Sequence, residues 1–103
     1  MEKETEFELF FKENYSRFYY FAFQIIGEKE VCRDIVSDAF EQAWSFFHQK
    51  EQFNLIGYMY SLVRNKCVDY LRHEMAKARY ADFYVYMYSE SDEDNIYEEM
   101  EQQ

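Results

Sequence analysis

Apolar residues recur every three or four positions along three stretches of the chain, and that period predicts helices. In the first, from about Glu4 to Ile26, Phe7, Phe11, Phe18, Ala22 and Ile25 fall on one side, with Phe10, Tyr15 and Phe21 at its margins. An aromatic stripe at this spacing reads as core rather than as a cofactor box. Tyr19, Tyr20 and Phe23 fall toward other sides, where they either meet a third helix or stay exposed. Gly27 follows the last apolar pair and suits a left-handed stop.

The second stretch follows almost at once, roughly Glu28 to Gln49. Cys32, Val36, Ala39, Ala43 and Phe47 make its inner stripe, while Asp34, Ser37, Asp38 and Glu41 share the opposite face. Glu28 and Glu30 occupy its first turn, where they favour the positive end of the helix dipole. So short a connection forces the first two helices into an antiparallel hairpin. Gln49 to Asn54 read as a polar loop, and Asn54 is a candidate N-cap.

The third helix is expected from about Leu55 to Arg79, with Ile56, Met59, Tyr60, Val63, Cys67, Tyr70 and Leu71 facing inward. Wound at about 100° per residue, its other face collects Tyr58, Ser61, Asn65, Asp69 and Arg72, flanked by Arg64. Beyond Arg79, "ADFYVYMYS" suits a short fourth amphipathic helix, and "ESDEDNIYEEMEQQ" reads as a mobile acidic linker. The expected fold is all-α: a compact bundle of an antiparallel hairpin plus a third long helix, with a short fourth helix optional. The expected division is a helical domain over 1–80 and an acidic linker over 81–103.

Composition sharpens this. The chain has no proline and two glycines, too few turn residues for hairpin-rich β folds. A chain of 103 residues has a thin core, which 11 phenylalanines and 11 tyrosines can enlarge. No apolar run reaches the length of a membrane span and no signal pattern opens the chain, so a soluble, cytoplasmic protein is expected. Cys32 and Cys67 lie within apolar patterns and are expected as buried free thiols.

The net charge of −10 is uneven. From Ala81 onward there are eight acids and no base, so the remaining 13 acids face all 11 bases. Residues Gly57 to Arg79 hold five cations and two anions. A nucleic-acid surface on the body is therefore compatible with an acidic total. Tyr58 offers a stacking platform, Asn65 a donor and an acceptor, and Arg64, Lys66, Arg72, Lys77 and Arg79 neutralise phosphate. Pattern alone favours an ordinary solvated face with a chance tyrosine, since long surface helices often mix such residues.

Other chemistries fit less well. Cys32, His48, Cys67 and His73 are metal-ligand types without finger-like spacing, so no metal is expected. Asp34, Asp38 and Glu41 have neither a histidine nor a glycine loop beside them, so no catalytic residue and no enzyme activity are expected. A solvated or partner-facing acidic patch accounts for them better.

The segments "FELFFKENYSRFYYFAFQIIGEKEVCRDIVSDAFEQAWSFF" and "NLIGYMYSLVRNKCVDYLR" together resemble the first conserved domain of bacterial extracytoplasmic-function sigma factors, sigma-70 region 2. The likeness spans roughly Phe7 to Arg79 and is most specific in "RDIVSDAFEQAW" and "YMYSLVRNKCVDYLR". It implies an initiation subunit with no enzymatic activity and no cofactor. It also implies that the second helix docks on a coiled coil of the largest subunit of core RNA polymerase through Asp34, Ser37, Asp38, Phe40, Glu41 and Trp44. By the same resemblance, the third helix opens the promoter −10 element and holds its non-template strand through Tyr58, Ser61, Arg64, Asn65, Asp69 and Arg72. Phe53 and Asn54 stand where the family's specificity loop receives a flipped base. Tyr60, on the inner stripe, is expected to support rather than touch DNA.

Full-length relatives carry a second, −35-reading domain; none is present, so a piece ending in the interdomain linker is expected. Alone, with roughly five phosphate contacts, it would bind DNA weakly and salt-sensitively. A dedicated anti-sigma factor is a further partner the resemblance implies. From a different class, a helical protein–protein adaptor without nucleic-acid binding remains open.

Overall fold

The structure is a computed structural model and describes residues 2–49 and 54–92. Three helices make up the fold: α1 (Lys3–Ile26), α2 (Lys29–Gln49) and α3 (Leu55–Asp92). Among the described residues there is no strand, and the architecture is the expected all-α bundle. The chain divides into two compact units, Met1–Tyr70 and Leu71–Gln103, with α3 running through the boundary.

Helix α1 carries Glu4 and Glu6 in its first turn and stops at Gly27, whose φ of 80° is left-handed. Nothing lies within 4 Å of a Cβ built at Gly27, so the backbone angle, not space, calls for glycine there. Helix α2 begins two residues later, with the Cys32 amide bonded to the Glu28 carbonyl at 3.0 Å. The Lys3 ammonium at the start of α1 donates to the Phe47 carbonyl near the end of α2 at 3.3 Å. Phe7 meets Trp44 at 5.1 Å between ring centroids, and Phe11 meets Phe40 at 4.8 Å. Each step up α1 is thus matched by a step down α2, the register of an antiparallel hairpin.

The core is entirely apolar among the described residues. Helix α1 contributes Phe18 and Ala22, α2 contributes Cys32, Ile35, Val36, Ala39, Phe40 and Ala43, and α3 contributes Met59, Val63 and Cys67. Helix α2 supplies more than half of these and is the centre of the unit. Its alanines let neighbouring backbones approach, and Phe18 and Phe40 fill the remaining volume. Tyr60 on α3 packs edge-on against Phe18 and Phe21 at 4.8 and 4.9 Å. The Tyr70 hydroxyl donates to Glu28 at 2.9 Å, tying α3 to the α1–α2 turn.

Several expected positions differ. Phe11, Ile56 and Leu71, expected to face inward, are 38%, 41% and 36% exposed. Phe11 lies at the edge of the α1–α2 contact, and Ile56 lies in the first turn of α3. Leu71 opens the second unit, in which every side chain given from 71 to 88 is exposed. The third helix does not end at Arg79, and "ADFYVYMYS" continues α3 rather than forming a fourth helix. Residues 81–92, expected as linker, are helical because no proline or glycine follows Gly57 to stop the helix. The rest of the expected linker lies outside the described residues.

Asn54 caps α3 as expected: its side-chain oxygen accepts from the Gly57 amide at 3.0 Å. A Cβ at Gly57 would sit 2.8 Å from the Asn54 side-chain nitrogen. Asn54→Ala is expected to cost about 1 kcal/mol. Gly57→Ala should be near neutral alone, because up to about 1 kcal/mol of helix propensity is offset by displacing the cap. In the Asn54→Ala background the same change should stabilise by about 0.5–1 kcal/mol, a coupling that urea unfolding of the four proteins would measure.

Both cysteines are free and buried. Burial, with Cys32 nearby adding to it, pushes the Cys67 thiol from its ordinary 9.0 up to about 11, and burial also raises Cys32. The folded state favours the neutral thiol, so this stability is complete below pH 9 and is lost as pH rises through 11. Urea midpoints measured from pH 8 to 11 should fall over that window, and the fall should be smaller in Cys67→Val.

Candidate functional site

Two outer faces of the first unit carry the chemistry. On α2, Asp34, Ser37, Asp38 and Glu41 are exposed at three- and four-residue spacing. Trp44 is half-buried, its ring 3.8 Å from His48 and 6.3 Å from Phe47. Phe40 is only 3% exposed, ringed by Phe7, Phe10, Phe11, Tyr15 and Phe18. It holds the α1–α2 contact together and has little surface to offer a partner.

The acidic strip is bordered by two clefts. A groove of about 380 Å³ between α1 and α2 is lined by Ser37, Phe40, Glu41 and Trp44 together with Glu4, Phe7, Glu8 and Phe11. A second cleft, about 310 Å³, is lined by Asp38, Glu41, Gln42 and Ser45 of α2 and Lys66 of α3. Glu41 belongs to both. Sequence reasoning missed the α1 half of the groove. The spacing of Phe7 and Phe11 was legible, but only the hairpin register brings them beside Ser37 and Trp44. Lys66 was expected to extend the basic face of α3; instead it shares a cleft with two carboxylates.

On α3, Ser61, Arg64, Asn65 and Asp69 are exposed. Arg64 has no ion pair among the described residues. Tyr58 is half-buried, its ring tilted 56° against Phe46 of α2 at 5.4 Å. That contact commits part of the ring to packing. Asn54 is exposed, but its carbonyl oxygen is occupied by the cap. Arg72 is exposed in the second unit. Phe53 lies outside the described residues. No group of three or more His, Cys, Asp or Glu that could hold a metal occurs among the described residues.

The family model for sigma-70 region 2 matches residues 10–76, about two thirds of the chain. The chain belongs to the sigma-70 region 2 family. No curated protein and no solved structure matches it. Sigma-70 region 2 is a transcription-initiation module that binds core RNA polymerase and the promoter −10 element. The matched span of this region 2 domain runs from Phe10 past Arg72 and so includes both faces. Among its described residues, no helix is long and apolar enough to cross a membrane.

The packing of Tyr58 has a measurable consequence. Tyr58→Ala should destabilise the domain by about 1–2 kcal/mol, from the lost ring pair and partial burial. Tyr58→Phe should cost much less, as thermal unfolding monitored by circular dichroism would report.

Proposed function

We propose that this chain is the core-binding and promoter-melting domain of a bacterial extracytoplasmic-function sigma factor, acting in the cytoplasm with core RNA polymerase. The observation that carries this reading is the family match over residues 10–76, within which α2 exposes an acidic face and α3 exposes Ser61, Arg64, Asn65 and Asp69. Asp34, Ser37, Asp38 and Glu41 meet the coiled coil of the largest polymerase subunit, where acidic side chains set encounter rate and register against a basic partner. Trp44 borders that contact, and Phe40 supports it from the core. Residues 1–80 carry both faces; the acids from Ala81 onward weaken binding to DNA through like charge.

On α3, Arg64 and Arg72 hold phosphates of the non-template strand, and Asn65 and Ser61 hydrogen-bond to it. Asp69, an acceptor only, takes a donor from an exocyclic base amine. Tyr58 offers an aromatic ring for stacking, worth about 1–3 kcal/mol per base. Phe53 and Asn54 stand beside a flipped base, whose unstacking costs a few kcal/mol that these contacts offset. An anti-sigma factor would inhibit by covering these same surfaces.

A second reading, a helical adaptor that binds no nucleic acid, is favoured by one observation. Phe83, Tyr84, Val85, Tyr86, Met87 and Tyr88 form an uninterrupted exposed apolar run. Fluorescence titration with −10-like single strands at low salt separates the two, since an adaptor shows no preference for them.

Asp38→Arg should weaken capture by core polymerase by about tenfold or more, because it reverses one charge at the contact. Asn65→Ala and Arg64→Ala should leave capture unchanged and reduce permanganate reactivity at −10 thymines in promoter-opening assays. Normal opening by both helix variants would overturn the assignment of α3.

A further inference from the structure

A third cleft lies outside both faces. It measures about 340 Å³ and is lined by Tyr15, Ser16, Tyr19 and Tyr20 of α1 and by Lys29 and Arg33 of α2. In a chain with 21 acids, none lines it. Lys29 and Arg33 are both exposed, one helical turn apart on α2, and neither has an ion pair among the described residues. Two exposed cations without an ion pair among the described residues form a local positive site that attracts an anion.

The α1 wall adds a different chemistry. Tyr15 and Tyr19 stack at 6.3 Å with planes 21° apart, and Phe23 continues the stack from Tyr19 at 6.1 Å. Tyr20 meets Tyr19 edge-on at 6.1 Å and is itself 66% exposed, so its ring is open to a flat ligand. Tyrosine and serine hydroxyls supply donors and acceptors along the same wall. An arginine fork matches phosphate geometry and a lysine adds a point charge. A stacking surface, hydroxyls and paired cations in one cleft match the base, sugar and phosphate of a nucleotide. An acidic peptide would use the cations and leave the aromatic wall without a partner. The volume falls within the range of about 300–1,000 Å³ usual for small-molecule sites.

We propose that the cleft between α1 and α2 binds a nucleoside phosphate, with the base on Tyr20 and the phosphates on Lys29 and Arg33. The same chemistry is available from a free nucleotide or from one nucleotide of a single strand. The site shares no residue with the polymerase or α3 faces, so its failure would leave the proposed function standing.

The test is an amide-resolved NMR titration of the ¹⁵N-labelled full chain with ATP, adenosine, tripolyphosphate and a short deoxyadenosine oligonucleotide. ATP should saturably shift the amides around Tyr19, Tyr20, Lys29 and Arg33. Adenosine and tripolyphosphate should each bind about tenfold or more weakly, since each offers only half of the recognised groups. Lys29→Gln with Arg33→Gln should weaken ATP by about tenfold or more, and exchanging the cations (Lys29→Arg, Arg33→Lys) should retain binding. Tyr20→Ser should weaken ATP several-fold and leave tripolyphosphate unchanged, a readout independent of whether the double variant folds. Displacement of ATP by the oligonucleotide identifies a strand as the source; ATP binding without displacement identifies the free nucleotide. Absence of saturable shifts, shifts centred on α3, or tripolyphosphate binding as tightly as ATP overturns the proposal.

Discussion

Everything in the first unit depends on one packing constraint: α2 buries its narrow side against both neighbours at once. Cys32, Val36, Ala39 and Ala43 are fully buried along it. Small side chains there permit close approach, and Phe18 of α1 and Met59 and Val63 of α3 fill the space that remains. No polar or charged residue is buried in this core among the described residues, so apolar packing dominates it, with the Lys3–Phe47 and Tyr70–Glu28 hydrogen bonds at its edges. Enlarging Ala39 or Ala43 would force the packed helices apart.

That constraint turns one helix into a two-sided device. Because α2 is covered on its apolar side, Asp34, Ser37, Asp38 and Glu41 are held outward at fixed spacing. The surface ion pairs observed, Lys12–Glu8 and Lys77–Glu74, are exposed neighbours on single helices. Such pairs contribute little to stability. Charge is sorted among the clefts: carboxylates border the α1–α2 groove, a lysine from α3 meets two of them, and the tyrosine-lined cleft keeps its cations without acids.

Much of this was legible from periodicity. The hairpin needed only two apolar stripes and Gly27, whose left-handed angle admits no easy substitute. The start of α3 needed only Asn54, which caps it. The exposure of Ser61, Arg64, Asn65 and Asp69 followed from their positions opposite Met59, Val63 and Cys67. The end of α3 was not legible, because loss of an inward stripe does not end a helix. A terminator does, and none occurs between Gly57 and Asp92. Burial at stripe margins was also illegible: Phe40 is core and Phe11 is partly open, a difference set by where the partner helix crosses.

The sequence by itself determined which residues lie on the same side of each helix, since helical pitch is a local property of the chain. It therefore determined the acidic strip, the polar face of α3 and the family to which both belong. Tertiary structure alone decided which side chains from different helices share a cleft. Glu4 and Phe7 join Trp44, Lys66 joins Asp38, Phe46 takes one side of Tyr58, and Tyr20 joins Arg33. Those pairings depend on the register and rotation of one helix against another, which are fixed by the summed packing of the whole core and not by the spacing of residues within any one element.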